Sequence, residues 1–317
     1  MPFAAIILLF VSSGCVLGIP HNPIPDLGMD ADMNGKLVFP ADNPWNKPVD
    51  KLPVDPQSDA IIAKIGLDKP LHPDFGGIHH AGAGMPYVVV RGGRVGIPDV
   101  FEDADHSDPG PYPVPLDCPI EGGQDGKGSR HIIVVDRDDW KLYEMSAAYR
   151  ESDGWAAHAG AIFDLTSNEM RPEGWPSADA AGLPIFPGLV RYDEVFQHGH
   201  INHALRFTVR HTRHACIPPA RHYTSHKNDK NLPPMGMRVR LKADFDISHF
   251  PAQARVILTA LKKYGMIVAD EGSDWYLSGT ADPRWDDAAL DTLEHVKGSD
   301  FEVVQMDGII TDVEKDK

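Results

Sequence analysis

The chain has 317 residues, 42% hydrophobic and 24% charged, enough for a sizeable core in one large domain. Its formal net charge of −16 excludes a nucleic-acid partner, because affinity for phosphates rests on clustered Lys and Arg. With 29 glycines and 28 prolines the composition favours short strands and loops over a helical bundle.

Residues 1–18, "MPFAAIILLFVSSGCVLG", carry no charged side chain, and the apolar run from Phe3 to Val11 is too short to span a bilayer. It reads as a signal peptide cut after Gly18, which predicts a secreted, extracellular protein with no membrane contact after cleavage. Cys118 and Cys216 then remain; in an oxidising compartment they either pair as a disulfide or stay buried as thiols. Residues 19–48, rich in Pro, Asn, Asp and Gly, read as an extended N-terminal arm, and residues 49–317 as a single β-rich domain.

Three helices are expected. The first follows Asp55-Pro56, buries Ile61, Ile62 and Ile65, and stops at Gly66. The second runs from about Ser248 to Tyr264 with Val256, Ile257, Ala260 and Leu261 in a stripe, and the third from Asp282 to Gly298. Between the first two, "MPYVVV", "HIIVVD", "WKLYEMSA", "AGAIFDL", "INHALRFTVRH" and "MRVRLKADFDI" read as strands separated by turn clusters. "GMIVAD", "WYLSG" and "FEVVQ" follow. So many strands without intervening helices predict a mainly β fold, an antiparallel, jelly-roll-like β-sandwich with a few peripheral α-helices.

Several motifs carry nothing. "EGGQDGKGS" lacks the spacing of a phosphate loop and reads as a turn, "AGAG" has no following helix, and there is no Gly-x-Ser-x-Gly elbow or His-Glu-x-x-His pair. The histidines of "QHGHINH" offer a metal alternative, His198, His200 and His203, because alternate imidazoles on a strand face one way. No cofactor is predicted, and a divalent metal held there is the alternative. Exposed imidazoles are the competing reading.

Carboxylates on expected strands form the second group. Glu144, Asp164 and Glu194 each share a face with apolar or aromatic residues, where burial would raise a carboxyl pKa and keep a general acid available. The competing reading for each is a salt bridge to an arginine. Residues 174–195, "GWPSADAAGLPIFPGLVRYDEV", read as a long loop and strand start that place Asp179, Asp193 and Glu194 beside a polar site, with Trp175 and Tyr192 able to stack on a sugar. On the strand from residue 202 to 210, Arg206 shares a polar face with Thr208 and Arg210, suited to gripping a carboxylate or hydroxyl.

The blocks "PSADAAGLPIFPGLVRYDEV", "HALRFTV", "PARHYTS", "PPMGMRVRLKADFDIS" and "LKKYGMIVADEGSDWYLSG" resemble a family of uncharacterised secreted bacterial and fungal proteins, across residues 39–304. The resemblance implies one domain and no activity, and groups Asp179, Asp193, Glu194, His203, Arg206 and His222.

The expectation from these residues is a secreted carbohydrate-active enzyme acting on a poly- or oligosaccharide. Glu144, Asp164, Glu194, His203 and His222 are the catalytic candidates; Asp179, Asp193, Arg206, Trp175 and Tyr192 are the substrate-binding ones. Glycoside hydrolysis ranks ahead of polysaccharide lysis because an acidic chain suits a neutral glycan better than a polyanionic one. A His-dependent metalloprotein and a non-catalytic glycan-binding or cell-wall module are the alternatives.

Overall fold

The computed structural model describes residues 23–80, 82–93 and 99–311, so the expected signal peptide lies outside it. In chain order the described elements are β1 (Gly28–Met29), α1 (Ser58–Ile65), β2 (His72–Asp74), β3 (Val88–Val90), β4 (Asp99–Phe101), β5 (Ile132–Asp136), β6 (Lys141–Ser146), β7 (Tyr149–Arg150), β8 (Trp155–Ala157) and β9 (Ala159–Asp164). Then come β10 (Leu205–Val209), β11 (Arg238–Leu241), α2 (Ala252–Lys263), β12 (Met266–Glu271), β13 (Tyr276–Ser278), α3 (Asp287–Asp291) and β14 (Phe301–Val303).

The fold is mainly β, in three mixed sheets. One runs β1-β3-β5-β6-β9, the second β14-β11-β12-β10-β13-β2, and a small third β4-β8-β7. The antiparallel expectation holds within β5-β6-β9 but not throughout: β3 with β5, β10 with β12, β13 with β2 and β4 with β8 pair parallel. Period-two patterning reports which faces are buried, not the direction of the neighbouring strand.

Strand β5 shows why its sequence is a continuous apolar run. Ile133 and Val135 pack into the main core, whereas Ile132 and Val134 pack on the opposite face with Tyr112, Val114 and Trp155. Both faces are covered, so no polar alternation survives. Strand β10 is also central, hydrogen-bonded to β12 on one side and β13 on the other, but keeps its alternation: Leu205, Phe207 and Val209 are buried in the core and Arg206 is buried on the opposite face.

Residues 23–48 are built into the body of the protein. Met33, Val38, Phe39 and Trp45 join the main core. Arg238 on β11 donates to Pro44 O (2.8 Å), Lys47 O (3.0 Å) and Tyr264 O (2.7 Å), and neighbouring Arg240 donates to Leu52 O (2.8 Å) and to Val49 O. Burial lowers the Arg238 pKa to about 9.

The first helix begins three residues after Asp55, whose carboxylate accepts from Gln57 N, and ends as expected with Gly66 N donating to Ile62 O. The third is shorter than its apolar pattern. Only Asp287–Asp291 is α-helical, capped by Asp286, because Asp282 folds back on Arg284, and Thr292–His295 tighten into a 3₁₀ turn. Cys118 and Cys216 are buried free thiols in different cores. Burial raises them to about 12 and about 11, so neither is a nucleophile.

Candidate functional site

The residues singled out from the sequence fall into three places. The first is a charged layer between the two large sheets. Glu144 projects from β6 beneath the start of a 3₁₀ turn, Phe186–Gly188, where backbone N–H groups lack helical partners. Its carboxyl accepts from Ile185 N (2.9 and 3.0 Å) and Phe186 N (2.9 Å). Burial raises its pKa to about 7 against the pull of those donors. Arg206 on β10 donates to Asp179 Oδ2 (2.8 Å) and Ser278 Oγ (2.7 Å). Asp179 also accepts from Ala181 N, and burial raises it to about 6 although Arg206 opposes that.

His131, which the sequence did not single out, completes this layer. Its Nδ1 faces Glu121 Oε2 at 2.7 Å and its Nε2 faces Ala178 O at 3.0 Å. Burial disfavours the charged ring, but the Glu121 carboxylate outweighs it and raises the pKa. Glu144, Asp179 and Arg206 are 0–2% exposed, and none lines a cavity described here. Glu144 and Asp179 satisfy backbone N–H groups of the Pro- and Gly-interrupted segment 174–190, and Arg206 ties Asp179 to Ser278.

The second place is a narrow recess. Residues Asp193–His198 form a π-helical turn closed by Gly199 in the left-handed region, rather than the expected strand. Arg191 donates to Glu194 Oε1 (2.7 Å), and Glu194 Oε2 lies 3.0 Å from His203 Nε2. His203 Nδ1 faces Ala204 O at 2.8 Å. Each imidazole nitrogen of His203 therefore lies within hydrogen-bonding distance of an oxygen of the protein itself. Burial would raise the Glu194 carboxyl, yet Arg191 and His203 hold it below its ordinary value, so it is an ionised partner and not a general acid.

Lys36, Asn46, Arg191, Glu194, His198, His200, Asn202 and His203 line this recess, whose interior offers about 20 Å³. That holds one water but no sugar ring. The expected His198, His200 and His203 triad does not converge: His203 turns to Glu194, and His200 Nδ1 turns to His198 O at 2.8 Å. Among the described residues, the group that does converge is Asp32, Asp193 and His198.

The third place is the outer edge of β9. A groove of about 280 Å³ runs between the 39–47 segment, Phe163 and the 168–171 loop, over Phe39, Trp45, Leu183 and Pro184. Its rim is a chain of amides: Asn43 Nδ2 donates to Asn168 Oδ1 (2.9 Å) and Asn168 Nδ2 to Asp42 Oδ1 (2.9 Å). A second cleft of about 240 Å³ shares Phe163, Glu169, Met170 and Arg171 with it and is also lined by Asp164, Asp108 and Lys141.

Asp164, the last residue of β9, is exposed; hydrogen bonds from Thr166 Oγ1 (2.6 Å) and Thr166 N (2.8 Å) hold its carboxyl below the usual range. Its expected burial fails because β9 is an edge strand that ends there. Arg171 is fixed by Asp108, by Pro176 O (2.6 Å) and by His106 O (2.8 Å). Of the remaining candidates, Trp175 is half-buried, edge-on to His106, and Tyr192 stacks on Phe196 at 4.5 Å beneath Arg284. His222 points Nδ1 at Ala180 O (2.7 Å), and burial lowers its pKa. Glu144, Asp164 and Glu194 thus stand in three separate environments.

Sequence reasoning missed Asn43, Asn168, Glu169 and Arg171. They occupy irregular loops, where no periodicity marks a side chain; for the last three the available signal was "SNEMRPEG", a polar cluster just beyond a strand that ends in a carboxylate. Comparison with protein-family models, curated proteins and solved structures gave no match.

Proposed function

We propose that the protein is a secreted carbohydrate-active enzyme, a glycoside hydrolase, that takes an oligo- or polysaccharide along the groove and cleft at the edge of β9. One observation carries this reading: two exposed carboxylates, Asp164 and Glu169, line a cleft that continues into a groove with an apolar, aromatic floor and an amide rim. Sugars present apolar ring faces and outward hydroxyls, which suit such a floor and rim.

In this reading Asp164, kept ionised by Thr166, attacks the anomeric carbon as the glycosidic bond breaks and Glu169 protonates the leaving oxygen; a water deprotonated by Glu169 then displaces Asp164 and releases the sugar. Lys141, exposed at the same cleft, would hydrogen-bond ring hydroxyls, while Arg171 holds the cleft wall in place through Asp108. Glu144 and Glu194 support the fold and do not touch substrate. Hydrolysis ranks ahead of lysis, because a chain of net charge −16 repels the polyanions that lyases cleave.

The test is a panel of neutral glycans scored separately for binding and for new reducing ends. The wild type should cleave at least one, and Asp164→Asn and Glu169→Gln should each lower the rate by about 100-fold or more while binding persists. Binding without turnover would make the protein a glycan-binding module. Turnover unchanged in both variants would remove these two carboxylates from the chemistry.

A further inference from the structure

The recess and the groove are separate, and the residues beside the recess have a property that the glycan reading does not use. Asp193 and His198 are five residues apart. In an α-helix that spacing points two side chains well apart, whereas a π-helical turn hydrogen-bonds i to i+5 and brings them to one side. Asp32, from the docked N-terminal segment, meets them there. Donor atoms of the three side chains all lie within 4.8 Å of one another, and His198 Nε2 is 2.9 Å from Asp32 Oδ1.

Asp193 makes this more than a chance cluster. It is 3% exposed, its Oδ2 accepts from Met33 N (3.0 Å), and its Oδ1 is buried without a hydrogen bond. The cation facing that oxygen is Arg191, whose Nε lies 3.6 Å away, too far for a hydrogen bond, and is itself unpartnered, while its Nη2 pairs with Glu194. A buried carboxylate oxygen with no donor is costly, and the second carboxylate alongside adds repulsion. Asp32 is better served, since Asn34 N donates to its Oδ1 at 2.6 Å.

We propose that Asp32, Asp193 and His198 bind one divalent transition-metal ion, zinc or manganese in class. Two carboxylates and an imidazole are a mixed oxygen and nitrogen set, which suits such ions better than calcium or magnesium, which take oxygen alone, or copper(I), which prefers sulfur. The 2.9 Å between His198 Nε2 and Asp32 Oδ1 is already close to the spacing of two ligands on one ion, so small side-chain rotations close the site. Three protein ligands leave further positions for water, and His198 also lines the recess through which water reaches the ion. The ion joins the N-terminal segment to the π-helical turn.

The test uses the full folded protein, stripped with EDTA and titrated with Zn²⁺ or Mn²⁺ alone by calorimetry, with bound metal counted by elemental analysis. The expected result is one ion per chain and a higher unfolding temperature with metal present. His198→Gln and Asp32→Asn, both at partly exposed positions, should each weaken binding by about 10-fold or more and abolish the thermal shift, while the metal-free variants keep the wild-type circular dichroism. His200→Gln should leave binding unchanged. No uptake by the wild type, or uptake untouched by His198→Gln and Asp32→Asn, would overturn the proposal and assign any bound metal to exposed histidines elsewhere.

Discussion

Replacing Glu144 with Gln changes how stability depends on pH, and the structure sets both the sign and the size. In the folded chain this carboxyl is wholly buried and titrates at about 7, against an ordinary value of 4.5. The folded state therefore holds a proton that the unfolded state gives up. The stabilisation is fully present below 4.5, and it is lost as pH rises to about 7. At about 1.4 kcal/mol per pH unit, that gap amounts to about 3 kcal/mol.

Glutamine cannot ionise, but its oxygen can accept from both Ile185 N and Phe186 N, as Glu144 Oε1 does at 3.0 and 2.9 Å. Urea unfolding of wild type and Glu144→Gln at pH 4.5 and pH 8 isolates the effect, because the other titrating groups are common to both proteins. Relative to wild type, the variant should gain about 3 kcal/mol between the two pH values, a midpoint change of about 1 M urea or more. A stability difference that stays constant within about 0.5 kcal/mol would show that Glu144 titrates alike in both states, and the buried-carboxyl argument would fall.

Three further outcomes are expected. Arg206→Met should destabilise by about 3–5 kcal/mol in urea melts by stranding Asp179, and adding Asp179→Asn should recover part of the loss. Gly236→Ala should lower the melting temperature by several degrees, because φ is +79° there and a Cβ would lie 2.0 Å from Ile217 O; calorimetry on the purified variant tests it. Cys118 and Cys216 should be inert to a thiol reagent in the native state and react on unfolding, and a reductant should leave the melting temperature unchanged.

The strands of the core were legible wherever burial imposed a pattern. "HIIVVD", "WKLYEMSA", "AGAIFDL" and "GMIVAD" became β5, β6, β9 and β12, since β-branched and apolar runs of that length fit a covered sheet. The two-residue strands β1 and β7 and the three-residue β2, β4 and β8 were not: they are too short to establish a period and, unlike the equally short β3 and β14, lack a β-branched or apolar run around them. Parallel pairing was equally hidden: α2 lies between β11 and β12, but nothing local told that β12 would align beside β10. At the candidate sites the limit was partnership. Glu144, Asp179 and Arg206 could be picked out as chemically capable, yet whether they faced a ligand or the protein itself depended for Glu144 on Ile185, 41 residues away, and for Arg206 on Ser278, 72 residues away. The surface carboxylate Glu169 was overlooked for the converse reason, that exposed acids in turns are common.

The arginine forks on β11 also bear on the order in which the chain can complete its fold during synthesis. Arg238 grips the backbone of Pro44 and Lys47 across sequence separations of 194 and 191 residues. At about 5–20 residues per second, a nascent chain waits about 10–40 s between making residues 44–47 and making the guanidinium that fastens them. Until then Phe39 and Trp45 have no completed core to enter, so the first half of the protein leaves the ribosome as a client for chaperones and not as a finished subdomain.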